Sequence, residues 1–220
     1  IRRSGCAATG VDHFHAYVPP IHGSRGYGVE DIVQALMVEA EGIADRRLFE
    51  VWARNSYQIL LDWERYGVPI RDENGQFRLV GRHQGVPFSI HFAGQNLKVR
   101  LAEAVVKEGV TVFNRVMITD LLVDGERVVG AVGLNTAEEK LITFLAKCTV
   151  IATGDASRLF RNPTGLIFNT EHAPGNVGDG MAMAYRAGAE LLNMEFTYFH
   201  SGPKNFHRCG RGSYYPGCYI

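Results

Sequence analysis

Two short stretches of this chain have the residue types and spacing to hold a flat or phosphorylated ligand. Thr149-Val150-Ile151-Ala152-Thr153-Gly154 is an apolar run that ends in small residues. Gly178-Asp179-Gly180 opens a segment of helical character that continues to Leu191. A strand ending in small side chains lets a ligand approach the backbone closely. A glycine-rich helix start offers unpaired N–H groups to an anion. Either stretch alone recurs by chance in many α/β proteins, so the pair in this order is what carries the reading.

Composition bounds the rest. The 220 residues suffice for one large domain or one and a half, and 46% hydrophobic with 21% charged residues describes a soluble protein with a real core. Lys plus Arg and Asp plus Glu both number 23, giving a formal net charge of zero. That balance argues against a nucleic-acid partner, which normally selects a basic excess. No apolar run approaches the roughly 20 residues needed to span a bilayer. Cys6, Cys148, Cys209 and Cys218 form no Cys-x-x-Cys pair, so a zinc or iron–sulfur site held by this chain alone is not expected. Scattered cysteines fit a reduced, cytoplasmic setting. The chain opens on Ile1, shows no signal peptide and closes on Cys218-Tyr219-Ile220, and it reads as an internal piece of a longer protein.

The elements that must position the two stretches are readable from periodicity. Residues 1–28 are rich in Gly, Ser, Pro and His and read as ligand-facing loop. A helix is expected over 29–45. A second helix follows, with Leu48, Trp52, Ile59, Trp63 and Tyr66 near helical spacing and Gly67 then Pro69 stopping it. Trp52 and Trp63 are read as core. Short extended pieces are expected in 71–94, around the turn residues Glu73-Asn74-Gly75. A third helix spans 95–107 and Gly109 ends it. Strands are expected at 110–113, 117–123, 127–134, 141–145 and 149–153. Asp124-Gly125 makes one hairpin and 135–140 a polar turn. The last helix is expected over 180–191.

Five runs together resemble one family: Arg3 to Gly10, Leu121 to Val132, Ala146 to Gly154, Gly178 to Leu191, and Met194 to His200. The chain is similar, over nearly its whole length, to the flavoprotein subunit of the succinate dehydrogenase/fumarate reductase family, which includes L-aspartate oxidase and the adenylylsulfate reductase α subunit. The resemblance implies an α/β fold: a partial Rossmann-like FAD-binding domain with a helical segment and a β-meander, plus the start of an inserted capping domain. On this reading 1–200 is FAD-binding domain and 201–220 begins the cap. The Gly-x-Gly-x-x-Gly unit of the family would precede Ile1, so the 220-residue piece alone is not expected to bind FAD tightly.

The resemblance also implies roles. Arg3, Ser4, Gly5, Cys6 and Ala7 match the loop that passes along the FAD pyrophosphate and ring. Membrane-bound members carry a flavin-linking histidine there; Gly5 stands in its place, which implies non-covalent FAD, since His13 and His15 are out of register. Ala152, Thr153 and Gly154 would touch the dinucleotide, although Asp155 replaces a frequent second glycine and would repel a pyrophosphate unless it points away. Asp179 matches a cofactor-contacting aspartate, and an N-cap role is the plainer reading. His200 matches a substrate-carboxylate histidine, but Ser201-Gly202-Pro203 departs from the family's Pro-Thr. Arg208 and Arg211 lie near the place of the family's catalytic arginine without its Arg-Gly-Glu context. His83, His91 and His172 read as isolated surface or core histidines, and Arg46-Arg47 as a solvated face.

The implied activity is FAD-dependent oxidoreduction, with hydride transfer at flavin N5 to or from a small carboxylate and electrons leaving through an iron–sulfur partner subunit. Membrane association would come through partner subunits, without insertion of this chain. Gly130 to Asn135 and the altered His200 run leave open an adenylylsulfate-reductase-like reaction at N5 with a sulfur oxyanion. A non-catalytic module that kept the FAD fold is the third reading.

Overall fold

Residues 1, 2, 4, 5, 7, 11, 13–80, 84–156 and 175–196 are described by the computed structural model. The chain divides into two units, Ile1–Val110 and Thr111–Ile220, and each contains one three-stranded antiparallel sheet. The architecture is α/β.

In the first unit the order is β1 (His13–His15), α1 (Pro19–His22), α2 (Val29–Glu39), α3 (Arg46–Arg65), β2 (Arg78–Val80), β3 (Ser89–His91) and α4 (Leu97–Lys107). The longest helix, α3, has both ends written in the sequence. Asp45 caps its start by accepting the Arg47 N–H at 2.9 Å. At its end the Gly67 N–H reaches the Glu64 carbonyl and the Val68 N–H reaches the Trp63 carbonyl, the double bond of a glycine-terminated helix. Gly109 closes α4 in the same way, through Val106 and Val105. α2 is shorter than the expected 29–45. It stops at Glu39 because Glu41 and Gly42 take positive φ of 49° and 84°.

The buried face of α3 is Ala53, Ser56 and Leu60, flanked by Trp52, Tyr57 and Trp63. Trp63 packs on Phe14 at 4.7 Å and Phe92 at 6.0 Å between ring centroids, and Trp52 meets Phe88. The tryptophans are therefore core, as their spacing predicts. Leu48 and Ile59 are not: they are 67% and 43% exposed. Ser56 occupies the buried stripe instead, because its hydroxyl accepts the Tyr17 N–H at 3.0 Å and so satisfies a backbone donor that an aliphatic residue would strand.

Residues 13–28, expected as loop, contain β1 and α1. Their anchor is His22, which is fully buried. Its Nδ1 accepts the Val18 N–H at 2.8 Å. The proton of the neutral ring then sits on Nε2, which donates to the Pro87 carbonyl. One side chain thus ties α1 to the segment leading into β3, 65 positions away.

The second unit runs β4 (Val116–Asp124), β5 (Arg127–Asn135), β6 (Lys140–Leu145) and α5 (Asp179–Arg186). β5 is central. The Asp124-Gly125 hairpin forms as predicted, with Asp124 opposite Arg127. In the turn after β5, the Asn135 side chain accepts the Ala137 and Glu138 N–H groups. The β4–β5 register shifts between Ile118 and Asp120, leaving Thr119 out of the pairing. Arg186 of α5 uses that irregularity, donating to the Thr119 carbonyl at 3.2 Å and to Asp120 Oδ1 at 2.6 Å. Both charged groups are about half exposed, so the pair orients α5 more than it stabilises it.

Three expected elements differ. Residues 110–113 form no strand. Residues 149–153 join no ladder among the described residues, and Val150 is 88% exposed; an apolar run becomes a strand only where a neighbour supplies hydrogen bonds. The last helix ends at Arg186, not 191. Gly188 turns left-handed at φ 92°, and its N–H and that of Ala189 bond back to Tyr185 and Ala184. The expected boundary at 200/201 falls outside the described residues.

Replacing His22 with Leu leaves the Val18 N–H and the Pro87 carbonyl buried without a partner. The expected loss is about 2–3 kcal/mol, read as a lower denaturation midpoint. An unchanged midpoint would contradict the anchoring role.

Candidate flavin site

The two sequence stretches that prompted the ligand reading come together in the second unit. An isolated antiparallel bridge joins Ala156 to Val177. It brings 151–155 alongside 176–180, and the approach is close throughout. A Cβ on Gly180 would collide with the Thr153 Oγ1 and lie 2.9 Å from the Ile151 Cγ2. A Cβ on Gly154 would lie 2.8 Å from the Asn176 amide nitrogen, and one on Gly178 3.2 Å from the Ala156 Cβ. Glycine at 180 is therefore a packing requirement: the first turn of α5 sits directly against the Thr153 side chain.

Gly178 and Gly154 also need their missing side chains for conformation. Their φ values are 89° and 86°, a region that L side chains rarely adopt. Gly178 is the N-cap of α5, and no side chain caps the helix. The N–H groups of the first turn have no partner within the helix and carry the positive end of its dipole. Asp179 is thus not the N-cap expected from its type. It is the first helical residue and is exposed, so its carboxylate is presented outward where it can accept from a hydroxyl.

Asp155, the departure from the family pattern, is held by Asn176. Its Oδ1 accepts a hydrogen bond from the Asn176 Nδ2 at 3.2 Å. Asn176 therefore contacts both Gly154 and Asp155 and braces the turn between them. Ala152, Thr153 and Gly154 are exposed and open to a ligand. Small residues, a left-handed glycine and a helix start that no described side chain caps bring backbone donors together, which suits the phosphate and hydroxyl groups of a dinucleotide.

The remaining expected residues are distributed elsewhere. Ser4 and Gly5 belong to the first unit and are exposed; the Ser4 hydroxyl donates to the Ile1 carbonyl. A Cβ on Gly5 would meet nothing within 4 Å, and its φ is 73°. Ala7 is half-buried. Arg3, Cys6, His83, His172, His200, Arg208 and Arg211 lie outside the described residues. Among the described residues no helix is long and apolar enough to cross a membrane. No group of three or more His, Cys, Asp or Glu is placed to hold a metal ion there either.

Sequence reasoning missed the relation between His13 and His91, which are direct partners across β1 and β3. The alternation His13-Phe14-His15 was the available signal, because it puts both histidines on one face of a strand.

Residues 16–213 match the family model described as FAD binding domain. The fumarate reductase (CoM/CoB) of Methanothermobacter marburgensis contains a chain 31% identical to this one, over 72% of this chain and 28% of its own length. An uncharacterized FAD-dependent oxidoreductase of Methanocaldococcus jannaschii is 32% identical over 90% of this chain and 36% of its own. Among solved structures, adenylylsulfate reductase from Archaeoglobus fulgidus superposes with a TM-score of 0.73 at 30% identity, over 86% of this chain and 30% of that one. The chain thus spans only about a third of the length of these relatives.

Gly-to-Ala inside a helix ordinarily stabilises by up to about 1 kcal/mol. At Gly180 the sign should reverse: the collision with Thr153 predicts a loss of about 1–3 kcal/mol. Adding Thr153→Ala should recover part of it, because it removes the colliding oxygen. A thermal midpoint that rises in Gly180→Ala would refute the close approach.

Proposed function

The chain belongs to the FAD-binding domain family, with its succinate dehydrogenase, fumarate reductase, L-aspartate oxidase and adenylylsulfate reductase relatives, and from that premise we propose that the full protein is an FAD-dependent oxidoreductase acting on a small carboxylate. FAD is the family's cofactor. The observation that carries the reading is the packing of Thr153-Gly154 against the glycine-flanked start of α5.

Backbone amides at the start of α5, the Thr153-Gly154 turn and the Asp179 carboxylate would hold the dinucleotide. Arg3, Ser4, Gly5, Cys6 and Ala7 are proposed as cofactor-binding residues by their match to the family's flavin loop. Gly5 offers no side chain for attachment, so the flavin is held non-covalently. When bound, the flavin supplies hydride transfer at N5. The protein's part is to orient the substrate, exclude water and supply charge where it develops. His200 is the group proposed to bind the substrate carboxylate, and residues from 201 onward begin the cap that closes over it. Electrons would pass to or from an iron–sulfur partner subunit.

A second reading has its own support in the 30% identity to adenylylsulfate reductase. There the substrate would be a sulfur oxyanion and His200 would be structural. Reducing the flavin of the natural-length protein anaerobically and adding fumarate separates the two. Return of the oxidised spectrum within turnover times is the expected result. His200→Gln should then lower kcat/KM for fumarate by about 100-fold or more. No return with fumarate, together with bleaching of the oxidised flavin by sulfite, would transfer the assignment to the second reading. A flavin that responds to neither would sink both.

A further inference from the structure

The sheet of the first unit carries a row of basic side chains that the proposed flavin chemistry does not use. Arg78 and His13 both pair with His91, from opposite sides. Arg78, His91 and His13 therefore stand side by side across β2, β3 and β1. The next row on the same face is Val80, Ser89 and His15. The opposite face, Leu79, Ile90 and Phe14, joins the core.

The ladder's phase brings the histidines close. The Ala16 N–H donates to the Phe88 carbonyl at 2.9 Å, which continues the β1–β3 register. By alternation, Phe14/Ile90 is a hydrogen-bonded pair, and His13/His91 and His15/Ser89 are the non-hydrogen-bonded pairs, whose Cα atoms approach to about 4.5 Å. The rings of His13 and His15 are 5.2 Å apart. Ser89, itself buried, fixes the His15 ring with a 2.8 Å contact to Nδ1.

The three strands contribute only basic charge to this face. The three strands contain no aspartate or glutamate. Arg46, Arg47, Arg71 and Arg186 each meet a carboxylate. Among the described residues no ion pair or hydrogen bond engages the side chain of Arg78 or His91. A guanidinium fork flanked by imidazole N–H donors has the geometry and charge to take a planar or tetrahedral oxyanion. His13 and His91 are half-buried and Arg78 is exposed, so the row is reachable yet partly screened from water.

We propose that the Arg78–His91–His13 row is a binding site for a small dianionic oxyanion, a dicarboxylate or a sulfate-like group. Arg78 supplies the bidentate contact, His91 adds an N–H donor, and His13 extends the basic row beside it. The site stands apart from the flavin reading and does not depend on it.

The test uses the natural-length protein with its histidine rings 15N-labelled. Ring signals of His13 and His91 are assigned from His13→Gln and His91→Gln, and sulfate or succinate is titrated at constant ionic strength. A saturable shift of both rings is expected, with Arg78→Gln raising the midpoint concentration about ten-fold or more and Arg54→Gln, an exposed arginine of α3, leaving it unchanged. Saturation with sulfate alone identifies a sulfur-type oxyanion. Saturation with succinate alone identifies a dicarboxylate, and with both a general dianion site. The proposal is overturned if neither anion gives a saturable shift. It is equally overturned if Arg54→Gln weakens binding as much as Arg78→Gln, which would mean diffuse electrostatics.

Discussion

The second unit turns on one steric constraint: the first turn of α5 can lie against Thr153 only because residue 180 has no side chain. From that contact the neighbouring features follow. Gly178 must take a left-handed conformation to swing the chain from the Ala156–Val177 bridge into the helix. With glycine at that position the N-cap itself supplies no capping side chain, and among the described residues none caps the helix. The same geometry thus packs the helix and leaves its first-turn donors without a side-chain cap among the described residues. Any residue with a Cβ at 180 would push the helix start away and dissolve the arrangement at its root.

The first unit is organised by buried polar groups that have been given partners. His22 joins α1 to the run into β3 by accepting on one nitrogen and donating on the other. Ser56 takes the Tyr17 N–H inside the α3 contact. At the partly exposed edge, Arg71 bonds Glu64 through Nε and Nη2 and lies over Phe77 at 4.0 Å. Its side-chain bond to Glu64 raises the guanidinium's affinity for its proton, so the charge is present throughout the pH range of the folded protein. A buried polar group that lacks a partner costs more than a satisfied one contributes. These contacts therefore specify which elements meet, while the apolar clusters around Leu60, Ile90 and Phe88 supply the bulk of the stabilisation.

What was legible in the sequence was what local chemistry decides. Gly67 and Gly109 end helices because left-handed glycines act over a few residues, whereas Asp45, read inside the 29–45 helix, caps the next one instead. The Asp124-Gly125 hairpin and the turn after Asn135 formed for the same reason. Misreadings arose where a distant partner decides. Leu48 and Ile59 keep helical spacing but face outward, and only the position of Tyr17 explains why Ser56 is inside. Residues 149–153 have strand composition without a neighbour to pair with among the described residues. The last helix stops short of the expected Leu191, because Gly188 turns left-handed and its N–H and that of Ala189 bond back to Tyr185 and Ala184. At the site, the separate glycine motifs were legible, while their contact and the role of Asn176 were not, since nothing local links 154 to 176.

The two departures that most complicate the family pattern, Asp155 and the histidine-rich start of the chain, have the same physical resolution: register assigns a side chain its company. An aspartate beside a phosphate site is repulsive only if its charge faces the ligand. Here the Ala156–Val177 bridge sets Asn176 beside Asp155, and the amide donates to the carboxylate. His13 and His91, remote in sequence and unremarkable singly, become one feature because β1 and β3 pair with their numbers summing to a fixed register. A shift of β1 by one residue would send His13 and His15 into the core beside Leu60 and Phe92 and bring Phe14 out to water. The apolar demand of Phe14 and Ile90 for the interior is thus the force that holds the basic row together on the outside.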